Sequence, residues 1–155
     1  MAAKSKLFEL AKHVNSLVAG LLDEWDKQPS EEPPFESTVW IDLATQIHST
    51  TELLTALTTP PASFVRTLQL RHYDLVAYQI ALEFDLFTAV PIGQTATLSA
   101  IASHSSLDCD RAGRTLRLLA LHGVFRETEE DTFGHTPHSR LIAQDESIRS
   151  AIAIQ

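Results

Sequence analysis

Any chemistry in this chain would have to come from a few polar groups in its second half. Arg111, Arg114 and Arg117 stand three apart, a spacing that gathers them toward one side of a helix. Such a face could send guanidinium groups to guanine edges or phosphates. It could also be a solvated face whose arginines pair with neighbouring carboxylates. His135 and His138 make an H-x-x-H spacing, with His104 and His122 elsewhere. A metal would want both imidazoles on one helix face and a third ligand beside them. Pro137 instead puts His135 at a strand end and His138 at a helix start. Cys109 lies between Asp108 and Asp110, whose charges oppose a thiolate. No nucleophile–base pair or carboxylate dyad can be read. No catalytic, cofactor-binding or metal-ligating residue is therefore expected within these residues.

Electrostatics weighs between the two arginine readings. Twelve Lys and Arg stand against 20 Asp and Glu, a net charge of −8. The acidic run Glu129-Glu130-Asp131 would also face any phosphate bound beside the arginines. A nucleic acid is not the expected partner. The lone cysteine excludes an intramolecular disulfide framework and suits a reducing compartment, so a cytoplasmic location is expected. No run approaches the roughly 18 apolar residues of a spanning helix, so no membrane partner is expected. Glu9, Lys12, His13 and Asn15 break the stretch where a secretory core would lie.

The elements that must hold these groups read as helices first. Leu7, Leu10, Val14, Leu17, Val18, Leu21 and Trp25 recur every three or four residues, predicting an amphipathic helix over 5–27. Residues 28–37, with Pro29, Pro33 and Pro34, read as a solvated linker. Trp40, Leu43, Ile47, Leu54 and Leu57 predict a second helix over 38–58, ended by Pro60-Pro61. A third helical region runs from Ser63 through Leu82. Because 75–82 is apolar on nearly every side, it should lie deep.

Residues 97–136 then read as helix, turn, helix and a two-stranded wing. A short helix opens at Thr97, and a second follows from Asp110 to His122. The second should bury Ala112, Leu116 and Leu119, with Leu118 and Leu121 widening the stripe. Gly123 stops it, and the wing strands flank the acidic turn 128–132. Pro137 suits the first position of a closing helical turn, and 147–155 begins another apolar segment. The expected fold is all-α with a small β-wing. The N-terminal stripes exceed what a core this size can cover, and large open apolar patches mark partner surfaces. A homodimer is expected, with Leu7, Leu10, Val14, Leu17, Leu21, Trp25, Trp40, Leu43, Ile47 and Leu54 at its interface.

Three segments carry a family resemblance: Leu82-Glu83-Phe84-Asp85-Leu86-Phe87, Leu98-Ser99-Ala100-Ile101-Ala102, and the run from Arg114 to Phe125 with its leucines, Gly123 and Val124-Phe125. Over roughly residues 60–145 the chain resembles the N-terminal domain of plant and fungal small-molecule O-methyltransferases, in the flavour of the fungal secondary-metabolite branch. The resemblance implies a helical dimerisation domain built around a winged helix. In that family it precedes a Rossmann-like domain that binds S-adenosylmethionine and holds the catalytic histidine. A small aromatic or polyketide substrate is implied for the full-length parent, with Tyr78, Phe84 and Phe87 as candidate pocket lining; core packing is the competing role for these three.

A cofactor domain needs a glycine-rich turn after a strand. The five glycines here, Gly20, Gly93, Gly113, Gly123 and Gly134, are isolated. No cofactor is expected on this fragment, which should be catalytically silent alone. S-adenosylmethionine is expected for a full-length parent. The division expected is a dimerisation arm over 1–59, a winged-helix domain over 60–146, and a segment over 147–155 leading to a C-terminal domain. The apolar pattern running into Gln155 reads as a piece of a longer protein. Two other roles fit the same residues: part of a methyltransferase-fold pericyclase or cyclase, or a regulatory winged-helix partner.

Overall fold

The structure, a computed structural model, describes residues 2–28, 30 and 32–153. Pro29 of the linker, and Ile154 and Gln155 of the last apolar segment, lie outside the described residues. The chain forms two compact units that divide between Thr67 and Leu68.

The first unit is a helical hairpin of α1 (Ala2–Trp25) and α2 (Thr38–Thr58), followed by the start of α3 (Pro61–Leu70). α2 keeps the bounds that its leucine spacing predicts, whereas α1 begins earlier and ends earlier than 5–27. Each helix turns its apolar stripe toward the other. Leu17 is buried, Trp25 meets Trp40 edge-on at 6.0 Å, and Phe35 meets Trp40 from another side at 6.1 Å. Gly20 lets the helices close, since a Cβ there would stand 3.2 Å from Leu43 Cδ1. One carboxylate ties the connection. Glu24 accepts from Lys27 Nζ at 2.6 Å and from Ser37 Oγ at 2.6 Å. The same Ser37 hydroxyl accepts from Trp40 N and caps α2. These bonds to Lys27 and then Ser37 hold the Glu24 carboxyl below the usual carboxylate range.

The second unit holds α4 (His72–Glu83), α5 (Leu86–Ala89), β1 (Thr95–Thr97), α6 (Leu98–Ser105), α7 (Cys109–Leu121), β2 (Phe125–Glu129), β3 (Thr132–His135), α8 (Pro137–Gln144) and α9 (Glu146–Ala153). The long third helix of the sequence reading is divided at Arg71. His72 Nδ1 donates to the Gln69 carbonyl at 2.6 Å, a side-chain bond that competes with the backbone ladder at the division. α6, α7, α8 and α9 are begun by side-chain caps that satisfy orphan amides, whereas α4 and α5 have none. Thr97 accepts from Ala100 N, Asp108 from Arg111 N, and Asp145 from Ser147 N and Ile148 N. α8 carries a reciprocal box between Thr136 and Ser139, with Pro137 at its start.

The sheet is antiparallel in the order β1-β3-β2. β1 is not predicted from the sequence, because an alternation over only three residues is too short to mark a strand. It pairs Thr95 with Gly134 and Thr97 with Thr132, where Gly134 admits the crossing side chains of Arg126 and Thr95. An irregularity between Glu127 and Glu129 bends the wing. The core gathers Leu86, Phe87, Ile101, Leu116, Leu119 and Phe133 between the helices and the sheet. The fold is thus mostly helical with a small β-wing, as predicted, and β1 adds a third strand to the two that the sequence reading gives.

Two expectations about depth need correction. α4 buries only Ala77 and Ala81, while Leu75 and Val76 are exposed. Small alanines let α7 approach one side, Tyr78, Ile80 and Leu82 are partly covered, and Leu75 and Val76 are left open. Leu121 does not widen the buried stripe of α7, for it is 83 % exposed. The helix ends there, and Gly123 at φ 72° turns the chain away into β2.

Candidate functional site: the groove between α4 and α7

The α7 helix sits in the position where a winged-helix DNA binder would carry its recognition helix, so its outward face is the first candidate surface. The three arginines do not act together there. Arg117 turns to the wing, where its Nη2 reaches Glu127 at 3.1 Å and Asp131 at 2.5 Å. Those bonds, to Glu127 first, raise its already high pKa, and the guanidinium also lies over the Phe133 ring at 5.9 Å. Asp131 has φ 57°, a turn conformation that aspartate tolerates; its backbone N donates to Glu127. Arg117 therefore pins the wing turn to α7. Arg114 pairs with Asp110 at 2.9 Å, one turn earlier. Arg111 alone of the three makes no ion pair among the described residues. Pairing with neighbouring carboxylates is what the structure gives for Arg114 and Arg117.

Between α4 and α7 lies an open groove of about 380 Å³, within the size range of small-ligand and peptide sites. Val76, Ile80, Phe84 and Leu118 form its apolar floor. Tyr73, Arg111 and Arg114 stand at its sides. A second concavity shares Arg114 and Leu118 and continues past Leu121 to Glu127. The exposed edge of α7 thus carries Leu118, Ala120 and Leu121, with Arg111 and Arg114 toward its N-terminal end and the Arg117–Glu127 pair beside it. Of the polar groups along it, Thr115 donates to the Arg111 carbonyl, and the Glu127 carboxylate is held by Arg117.

Of the three candidate lining residues, Phe84 lies in this groove. Phe87 is in the core, stacked on Phe125 at 5.2 Å. Tyr78 packs partly buried against the same core; burial first, and the Asp74 carboxylate second, raise its phenol pKa. The candidate interface residues lie along the α1–α2 hairpin. Leu17 is buried within one chain, Leu7 is exposed, and Leu10, Val14, Leu21, Trp25, Trp40, Leu43, Ile47 and Leu54 are partly covered. A different set is open: Phe8, Val18 and Leu22 on α1, and Val39, Leu53 and Leu57 on α2.

The two histidines of the H-x-x-H spacing part company. His135 Nε2 lies 2.8 Å from the Val90 carbonyl, which can only accept, so Nε2 carries the proton. Nδ1 then accepts from Ser139 Oγ at 2.9 Å. Both ring nitrogens are committed to structural bonds. Burial, partly offset by the Val90 bond, lowers the His135 pKa and keeps the ring neutral. Among the described residues no group of three His, Cys, Asp or Glu is placed to hold a metal. Cys109 is exposed at the start of α7. A contact that no sequence spacing could announce joins His122 Nε2 to Asp74 Oδ1 at 3.0 Å, fastening the end of α7 to the start of α4.

A helical hairpin, a helix-turn-helix and a three-stranded wing define a domain of the winged-helix type. The chain belongs to the O-methyltransferase dimerisation domain family, whose model matches residues 66–145. Among curated proteins it is 29% identical to O-methyltransferase sol2 of Alternaria solani, a match over 97% of this chain and 37% of that protein. It is 24% identical to a chlorophenol O-methyltransferase of Trichoderma longibrachiatum, over 79% of this chain and 26% of that one. The chain thus spans 37% of the length of the first relative and 26% of the second. Among solved structures it superposes on OxaC in complex with SAH and oxaline, with a TM-score of 0.65, 18% identity, and coverage of 90% of this chain and 33% of that one. At that identity the likeness is one of fold. TnmH matches with a TM-score of 0.52 and 28% identity, over 63% of this chain and 29% of its own. Among the described residues no helix is long and apolar enough to cross a membrane.

Proposed function

We propose that this chain is the dimerisation part of a longer, S-adenosylmethionine-dependent O-methyltransferase-like protein of fungal natural-product biosynthesis. The family match over 66–145 carries the reading. The exposed apolar groups on α1, α2 and α4 support it, because each large side chain taken from water contributes about 1.5–3 kcal/mol. Two identical copies bury such surfaces at the expense of no other partner. The interface draws on the hairpin stripe from Leu7 to Trp25 and from Trp40 to Leu54, with the open flanks beside it. The arm comprises residues 1–59, the winged helix 60–146, and 147–155 leads toward a catalytic domain.

In this reading methyl transfer belongs to the catalytic domain, which binds S-adenosylmethionine and works in the cytoplasm on a small aromatic or polyketide acceptor. The role of residues 1–155 is to hold two such domains together. Sedimentation velocity across the micromolar range tests it. A species of twice the chain mass is expected throughout, and a monomer at every concentration would overturn the proposal.

A further inference from the structure

The open flank of α1 is apolar and acidic, and the groove of the second unit is apolar and basic. On α1, Val18 and Leu22 are 41 % and 55 % exposed and stand four residues apart, on the side of the helix away from Leu17. Asp26 continues that line, its backbone still helical through a bond to the Leu22 carbonyl, and Asp23 flanks it. Neither aspartate makes an ion pair among the described residues. The groove between α4 and α7 offers the converse. Ile80 and Leu118 lie in its floor and Arg111 and Arg114 at one end. Among the described residues Arg111 makes no ion pair, and the Asp110 partner of Arg114 is a solvent-facing contact that water largely screens.

Resting on the dimer reading above, we infer that α1 of one copy lies in the α4–α7 groove of the other, Val18 and Leu22 on its floor and Asp23 and Asp26 against Arg111 and Arg114. The lengths agree. At 1.5 Å per residue, Val18 to Asp26 spans about 12 Å and Arg111 to Leu118 about 10 Å. The charges fix the direction, with the C-terminal end of α1 over the N-terminal end of α7, so that the two helix dipoles run antiparallel. An amphipathic helix in an apolar groove is a recurrent mode of protein recognition. Twofold symmetry makes the contact twice, each copy lending an arm and receiving one. A chain of net charge −8 gains by placing its unpaired carboxylates on its own unpaired guanidinium.

Charge exchange between two variants tests this. One variant carries Asp23→Lys and Asp26→Lys, the other Arg111→Glu and Arg114→Glu; all four sites are on the surface, and circular dichroism checks each fold. Alone, each variant sets like charges together at both contacts, so its dimer dissociation constant should rise about 100-fold. Mixed in equal amounts, the two restore opposite charges at both contacts, and dimers of mixed composition should return. Variants that dimerise like the wild type would overturn the inference while leaving the dimer itself standing. Monomers that fail to recombine on mixing would also overturn it. A wild type that is monomeric would instead sink the underlying dimer reading. Should a variant misfold, Asp26→Cys supplies a second readout. A short bis-maleimide should link it to native Cys109 of another chain, and absence of linked dimers would count against the placement.

Discussion

Replacing Ser139 with alanine probes the bonds that fasten the wing to the helical body. Ser139 is fully buried, and its hydroxyl serves several partners at once. It donates to His135 Nδ1 at 2.9 Å and accepts from Thr136 N at 3.1 Å, closing the box that begins α8. His135 in turn holds the Val90 carbonyl. The change removes one oxygen and almost no volume, so packing contributes little. Loss of the bond that Ser139 Oγ accepts from Thr136 N costs about 0.5–1.5 kcal/mol. The partly buried His135 Nδ1, left without its donor, costs a further 1–3 kcal/mol or so. Together a loss of about 1.5–4.5 kcal/mol is expected, a large fraction of the stability of a marginal domain. The assay must watch the right unit. Trp25 and Trp40, the only tryptophans, lie in the hairpin, so their emission does not report on this site. Urea unfolding followed by far-ultraviolet circular dichroism, with amide exchange on β3 and α8, does. A loss below about 0.5 kcal/mol, the size of an ordinary surface change, would refute the reasoning.

Acid should loosen the hairpin through Glu24. Its folded pKa lies below the unfolded value, so its contribution is present above about pH 4.3 and is lost as pH falls through the folded pKa. Glu24→Gln should flatten that part of the acid transition seen by tryptophan emission; an unchanged curve would exclude the role. His135 acts in the same direction at higher pH, its lowered pKa withdrawing stability from the second unit as pH falls below about 6.5. Gly123→Ala should destabilise the second unit by about 1 kcal/mol, because φ is 72° while nothing lies within 4 Å of the added methyl. A neutral effect on the chemical denaturation midpoint would contradict this. Gel shifts at low salt should show no sub-micromolar binding to duplex DNA, since Arg114 and Arg117 are engaged by carboxylates and the wing turn is acidic.

Periodicity made most of the helices legible. α2 is bounded by Ser37 and Pro60 in both the sequence and the structure, because a cap and a proline act locally. The wing was readable for the same reason: Gly123, the acidic turn and Pro137 each constrain only their neighbours. Depth was not readable from composition. An all-apolar run such as 75–82 says what could be buried, whereas what is buried depends on which helices arrive, and α7 reaches only the alanine side of α4.

The sequence by itself determined most of the helices and the winged order of elements, since those depend on contacts a few residues apart, and its motifs identified the family. Tertiary structure alone decided the division of labour among polar groups. His135 became a neutral strut because Val90, 45 residues away, presents a carbonyl. Asp74 and His122 met across 48 residues, and Arg117 was claimed by the wing while Arg111 was left at the edge of an apolar groove. Such roles depend on which distant groups share a location, and spacing along a chain carries no record of that until it folds.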